Sequence, residues 1–279
     1  MATNLSHIMP NPVVIPIFWG SAYVKNLTTQ ANLTQMFKDL VTGPFMNGLV
    51  QYGVFNATMV SPIIIDDPNP PAKIVYTTSS TDMPDDITHK LISWIHAGTV
   101  PAPPSPDDRN TLYMILPPTE SIFEIFNGDG DPIGNGVQGF HNSGVTNPAG
   151  PPTFYWGIVK TGDCPDPSTI DFVNCVSKKV CHELAEQCSD IDHSWGEVGD
   201  SPCNDQFLPY RGWTVQPYWS DWATPPGCQP GDTPVSIRAF LNSIGFDTLR
   251  ALNTNVINIP FIATTMQSQP APALPKTHD

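Results

Sequence analysis

The sequence predicts an α+β fold in which a twisted mixed sheet is backed by helices. Apolar, β-branched runs recur up to residue 160, and they alternate with segments whose apolar residues have helical spacing. A longer polar helix is expected after the last of these strands. All six cysteines lie at or after position 164, which predicts a loop-rich C-terminal part stapled by disulfides.

The elements are predicted in a regular order. The first strand covers 12–20, which is apolar and bounded by prolines, and a helix follows at 31–41, where Leu33, Phe37 and Leu40 share one face. The remaining elements are a strand at 55–65, a helix at 83–98, a strand at 111–118, a loop or edge strand that includes 139–142, a strand at 153–160, and a helix from about 168 to 188. Zinc metalloproteases of the zincin type have a similar plan, so the predicted fold is zincin-like.

Three regions are predicted. Residues 1–205 form the core, 206–265 form a C-terminal subdomain packed on it, and 266–279, which is rich in proline, is a disordered tail. The subdomain is rich in tryptophan. The side chains of Trp213, Trp219 and Trp222 are expected either to pack in the core or to line a cleft for sugar or peptide.

Composition limits the partners. The formal net charge is −14 and no basic cluster occurs, which argues against nucleic acid. No apolar run approaches membrane-spanning length, so no membrane span is expected. The even number of cysteines and the N-x-S/T sequons at Asn4, Asn26, Asn32 and Asn56 favour a secreted protein. Because the N-terminal stretch lacks an apolar signal core, we expect that the sequence is a mature form. We also expect a monomer.

The sequence VCHELAEQCSD at 180–190 carries the candidate chemistry. Zincins place H-E-x-x-H on a helix, and here a glutamate replaces the second histidine. His182 and Glu186 are one helical turn apart, so both could bind one metal ion. Glu183 between them would then be the general base that takes a proton from the attacking water. The alternatives are a solvated helix face and a buried polar network.

The motif needs a third metal ligand, and several residues could provide one. Glu197 is the first choice, and Asp200 would orient His182 or substitute for Glu197. Asp192 and His193 remain alternatives. Zinc is the expected metal, while calcium or manganese would suit an oxygen-rich ligand set.

Other residues are predicted to act around the metal. Tyr210 would polarise a substrate carbonyl, and His141 and Trp156 would contact the substrate. Cys181 and Cys188 are too far apart on one helix to bond each other, so each would need another partner, such as Cys203 or Cys228. A thiol enzyme that uses His182 is a third option, provided that those bonds do not form.

Several motifs resemble one known family. VVIPIFWG, GFHN, YWGIVKTGDCP and HELAE followed by GEVGDSPCN are similar to the plant phosphate-induced protein and EXORDIUM family and its microbial relatives, over about residues 13–205. Plant members usually show HELAG, so Glu186 matches the microbial HELAE form. The resemblance implies an extracellular protein. It also implies a shared metal set of His182 with Glu197 or Asp200, joined by His141.

Two functions follow as hypotheses. The first is a secreted metal-dependent hydrolase, most simply a peptidase, with Glu183 as its general base. The second is a non-catalytic extracellular protein that binds carbohydrate or cell wall and contains a structural metal. Peptide or cell-wall polysaccharide is therefore the expected substrate or ligand.

Overall fold

A computed structural model describes residues 7–77, 86–105, 108–126, 138–144, 154–191 and 208–216. The strands are β1 (Val13–Trp19), β2 (Thr58–Met59), β3 (Ile63–Ile65), β4 (Lys73–Thr77), β5 (Thr111–Leu116), β6 (Ile122–Phe126), β7 (Gly139–Gly144), β8 (Phe154–Val159), β9 (Leu208–Tyr210) and β10 (Trp213–Val215). The helices are α1 (Ser21–Lys25), α2 (Leu27–Val41), α3 (Pro44–Asn47), α4 (Asp86–His96) and α5 (Ile170–Ser189), with a 3-10 helix at Gly48–Tyr52.

The main sheet is mixed, as the sequence predicts. Its strand order is β2-β1-β5-β8-β7, and β3 also pairs with β1. The pairings among β1, β2, β3, β5 and β8 are parallel, whereas β7 runs antiparallel to β8. The stretch at 139–142, predicted as a loop or edge strand, is therefore a strand next to β8. Helices α1, α2 and α3 lie between β1 and β2 in the chain, and α4 lies between β4 and β5, as crossovers between parallel strands require.

The predicted strand at 55–65 consists of two short strands, β2 and β3. Both pair with β1, with Val13 opposite Thr58 and Ile17 opposite Ile63. Pro62 lies between them and has no backbone N–H to donate to the ladder. The predicted strand is therefore present, but it is divided into two parts at Pro62.

Each face of the main sheet is covered by its own apolar core. One core joins the sheet to α2 and α5, and its sheet residues include Phe18, Met114 and Val159. The other core joins the opposite face to α4, through residues such as Ile17 and Trp156. Alternate side chains of β1, β5 and β8 therefore point to different helices. This pattern explains why all six residues of β5 and all six of β8 are buried.

Strands β4 and β6, which were not predicted, form a separate two-stranded parallel sheet. Their exposure explains why the apolar pattern is weak. Ile122 is 60% exposed, and Lys73 Nζ lies 2.9 Å from Glu124 Oε1 in an ion pair between the two strands. The short helices α1 and α3 and the 3-10 helix were also not predicted.

Helix α5 is fixed at its N-terminal end by a cap and a disulfide. Thr169 Oγ1 accepts a hydrogen bond from Phe172 N at 3.3 Å, an arrangement that satisfies one of the free N–H groups of the first turn. Cys164 in the preceding loop is bonded to Cys175. The buried Lys179 Nζ also contacts this loop, donating to Lys160 O at 2.6 Å and to Asp163 Oδ1. These contacts fix the part of α5 that precedes the motif residues His182, Glu183 and Glu186.

The cysteine prediction needs correction. Cys181 and Cys188 were each expected to be bonded to another cysteine, but both are buried free thiols. The bond between Cys164 and Cys175 is the disulfide that the structure shows within the described ranges. Both free thiols lie on the face of α5 that packs in the core, where each acts as a small apolar side chain. Cys203 and Cys228 lie outside the described residues.

The hairpin of β9 and β10 packs on α5 and α2. Trp213 is buried, and its Nε1 donates to Asp39 Oδ2 of α2 at 2.8 Å. Gln216 N donates to Cys181 Sγ of α5 at 3.0 Å. Trp213 is thus a core residue, the first of the two roles weighed for it. Trp219, Trp222, and the remainder of the predicted subdomain and tail lie outside the described residues.

In the described part of the chain, no helix combines the length and the apolar character that crossing a membrane requires.

Candidate metal centre

Helix α5 and strand β7 bring three potential metal ligands together. They are His141 from β7 and Glu183 and Glu186 from α5, and one ligand atom from each lies within 4.8 Å of the others. The exposed fractions of these residues are 3%, 4% and 2%. Glu183 and Glu186 are three positions apart, so they project from neighbouring positions of the helix towards the same strand.

The distances between donor atoms are short. His141 Nδ1 lies 3.0 Å from Glu183 Oε2 and 3.6 Å from Glu186 Oε2. His182 Nε2 lies 3.1 Å from the same Glu186 oxygen. Ligand atoms about 2.1 Å from one cation lie about 3.0–3.4 Å apart in octahedral or tetrahedral geometry. A single cation therefore fits between His141 and the two carboxylates with small side-chain adjustments.

Strand β8 leaves room for the helix at this point. Gly157 pairs with His141 across the antiparallel ladder, and so lies on the sheet face that α5 covers. A Cβ at Gly157 would lie 2.7 Å from Met114 Sδ and 3.7 Å from Glu183 Cβ. A side chain at Gly157 would therefore clash with Met114 and would make only ordinary contact with Glu183.

Burial controls the charge of Glu186. Loss of solvation raises the pKa of its carboxyl from 4.5 to about 7, and the hydrogen bond from His182 opposes this rise. Glu186 Oε1 is buried and has no hydrogen-bond partner among the described residues. A buried carboxylate of this kind is costly unless a cation compensates it. The donor set and this oxygen both fit a bound divalent cation.

His182 lies at the edge of the centre. Its side chain is 20% exposed, against 5% or less for the other three, and it is not part of the ligand group that the structure brings together. Its contact with Glu186 places it beside the centre. The two residues predicted as helix ligands are therefore adjacent, as expected, but His182 faces the more open side.

The structure places His141 and Glu183 side by side in the group of potential ligands. His141 was predicted to contact substrate, yet it lies among the potential ligands, as the family resemblance implied. Glu183 was predicted to be a general base beside the metal, and it also lies among the potential ligands, so its role as a base stays a prediction. The sequence signal for His141 is its place in G-F-H, where a strand keeps glycine and histidine on one face.

Trp156 is not brought to the centre. It is fully buried in the core on the opposite face of the sheet, and its Nε1 donates to Thr88 Oγ1 of α4 at 3.1 Å. The predicted substrate contact of Trp156 is therefore inconsistent with its position, because adjacent residues of a strand face opposite ways and Gly157 faces α5.

The other predicted site residues are only partly placed. Tyr210 ends β9, in the hairpin that packs on α5. Glu197 and Asp200, and the alternatives Asp192 and His193, lie outside the described residues. The predicted third ligand therefore stays a prediction.

Among the described residues, neither the pair Cys164 and Cys175 nor the single Cys181 provides a further site. Asp163, Cys164 and Cys175 are close enough to hold a metal, but the two sulfurs are joined in the disulfide. Burial raises the pKa of the Cys181 thiol to about 12. This disfavours the thiolate that nucleophilic catalysis requires.

Comparisons with known proteins add no relative to this description. No protein-family model matches the chain, and no curated protein matches it either.

Proposed function

We propose that this chain is a metal-dependent hydrolase whose centre is built on His141, Glu183 and Glu186. The observation that carries the proposal is the convergence of these three groups from β7 and α5 into a buried cluster. Buried carboxylates are rare unless they are paired or bind a metal. When bound, a divalent cation would act as a Lewis acid that polarises the carbonyl oxygen of the scissile bond, and it would lower the pKa of the water molecule that attacks this bond.

The ligand chemistry supports several metals. One imidazole and two carboxylates form an oxygen-rich set, which zinc, manganese and calcium can all use. Zinc is our first choice, because the described ligands are few and one is a histidine. Glu197 or Asp200 would complete the set.

The proposed fold and setting are those of a secreted zincin-like peptidase. Two features support this by analogy: a mixed sheet with an antiparallel strand next to the motif helix, and the position of that helix directly after β8. The disulfide is compatible with an extracellular protein. The resemblance to the phosphate-induced protein family favours the same compartment. We expect a monomer that cleaves peptide bonds.

Within the site, the residues have separate tasks. His141 and Glu186 would hold the cation, and His182 would keep Glu186 oriented through their 3.1 Å contact. Glu183 has two possible tasks. It would serve as a third ligand if the geometry of the cluster persists, or as a general base if another residue takes its place.

One experiment separates these tasks. Protein purified without chelators is analysed for bound zinc, manganese and calcium, and wild type and Glu183→Gln are compared for metal content and for hydrolysis of a peptide library. If Glu183 is a ligand, the variant loses both metal and activity. If Glu183 is a base, it keeps the metal and loses activity. Wild-type protein that holds no metal after reconstitution would overturn the proposal.

A non-catalytic protein with a structural metal is the second candidate. The observation in its favour is the low exposure of the three groups, because a catalytic cation needs an open coordination position. In that case chelation would lower the unfolding temperature strongly. Binding to cell-wall polysaccharide would then be the activity to measure.

A further inference from the structure

Gly139 begins β7 two residues before His141, and its backbone lies against the Glu183 side chain. A Cβ built at Gly139 would lie 2.8 Å from both Cγ and Cδ of Glu183, and closer still to Oε1. Real Cβ atoms do not approach other heavy atoms so closely. The Glu183 carboxylate therefore occupies the space that any other residue at 139 would fill.

Position 139 requires glycine because of the limited space there and not because of its backbone conformation. The described glycines with positive φ are Gly20, Gly53, Gly98 and Gly212, so Gly139 has a backbone conformation that other residues also adopt. Gly139 is itself buried. Its position two residues from His141 puts both on the same face of β7.

The space above Gly139 determines where the Glu183 carboxylate lies. With Oε1 over Gly139, Oε2 is left 3.0 Å from His141 Nδ1. The Glu183 side chain is 5% exposed, so the protein packs closely around it. A methyl group at 139 would therefore displace the carboxylate away from His141.

We propose that Gly139 is a positioning residue for the metal centre: it makes the space that holds the Glu183 carboxylate against His141. The inference rests on the proposed function. It also predicts a specific compensation, because aspartate is one methylene shorter than glutamate and would leave room for the methyl group of an alanine at 139.

The test is a metal titration of the full chain with zinc and with manganese, followed by calorimetry. The proteins are wild type, Gly139→Ala, Glu183→Asp, the double variant Gly139→Ala/Glu183→Asp, and Gly157→Ala as the matched control. Gly157→Ala introduces the same methyl group on the same sheet face, but it meets the flexible end of Met114 and only ordinary contact with Glu183.

We expect Gly139→Ala to weaken metal binding at least about tenfold, as changes beside metal ligands do. Gly157→Ala should lower the unfolding temperature while leaving metal affinity within about twofold of wild type. In the double variant, Glu183→Asp should recover part of the affinity that Gly139→Ala loses. Wild-type affinity in Gly139→Ala, or additive losses in the double variant, would overturn the inference.

A second readout does not depend on metal. In metal-free protein, the ring ¹⁵N resonances of His141 report its contact with Glu183, and they should shift in Gly139→Ala but not in Gly157→Ala. If wild type binds no metal while this shift occurs, the proposed function fails and the positioning role of Gly139 stands. Unchanged resonances in Gly139→Ala would overturn the positioning role itself.

Discussion

His141 Nδ1 lies 3.0 Å from Glu183 Oε2, although the two residues are 42 positions apart in the chain. Both side chains are buried, and their contact joins β7 to α5. A histidine on the sheet and a glutamate on the motif helix therefore form one unit. The centre is built across two elements, whereas the motif alone suggested one carried by the helix.

Replacement of His141 by alanine should abolish tight metal binding. It would remove the imidazole donor and leave only the two buried carboxylates of the group to hold a cation. We expect metal affinity, measured by calorimetry, to fall by at least about a hundredfold, more than the loss of a group that only supports a ligand.

His182→Ala is the matched control for that variant. His182 is more exposed than the three potential ligands, and it contacts Glu186 without belonging to their group. Its loss should therefore weaken metal binding by about tenfold. The reverse order, with His182 indispensable and His141 dispensable, would restore the ligand set that the sequence predicts.

The stability of metal-free protein should fall as the pH rises through neutrality. The pKa of Glu186 is raised in the folded protein from 4.5 to about 7, so the folded state binds the proton more tightly than the unfolded state. This contribution is present below pH 4.5 and is lost as the pH passes about 7. It amounts to about 3 kcal/mol in the free energy of unfolding.

Urea denaturation in the presence of a chelator measures this effect. Wild type is compared with Glu186→Gln, which keeps the shape of the side chain but has no proton to lose. The difference between the two proteins should change by about 3 kcal/mol from about pH 5 to about pH 8. A difference that is independent of pH would mean that Glu186 is ionised throughout this range.

Much of the sheet could be predicted, because its strands are buried on both faces. Continuous apolar runs gave β1, β5 and β8, and helical spacing gave α2, α4 and α5 within a few residues of their ends. β4 and β6 were missed, since their pairing is separate from the main sheet and Ile122 is exposed. Short, half-exposed strands carry too little apolar pattern to be recognised from sequence.

The site was predicted only along the helix. Helical spacing places His182, Glu183 and Glu186 near one another, and the structure confirms that closeness. Spacing does not show which of them face the sheet, because that depends on how α5 packs against β7 and β8. The pairing of His141 with Gly157 puts His141 on the sheet face that α5 covers. That register depends on how β7 and β8 pair in the folded protein, and the helix motif does not contain this information.

Removal of the Cys164–Cys175 disulfide should destabilise the protein. The bond closes a loop over a sequence separation of 11, for which restriction of the unfolded chain corresponds to about 3 kcal/mol. The double variant Cys164→Ala/Cys175→Ala should therefore unfold at a lower denaturant concentration. A reductant should lower the stability of wild type and leave the double variant unaffected. Equal stability of wild type and variant would show that Lys179 and the Thr169 cap suffice to hold the loop.

The thiols of Cys181 and Cys188 should resist alkylation in the native protein. Both are fully buried, burial raises the pKa of each, and that of Cys181 reaches about 12. Cys181 Sγ also accepts a hydrogen bond from Gln216 N at 3.0 Å, which holds β10 over it. We expect iodoacetamide to leave both unlabelled at about pH 8 and to label both after denaturation, as measured by mass spectrometry of the tryptic peptides.

The control is His182→Ala. The rate of alkylation should be the same in this variant, because a buried thiol gains no thiolate character from an imidazole at the edge of the metal centre. Rapid native labelling of Cys181 that depends on His182 would instead favour a cysteine-dependent enzyme over the metal centre.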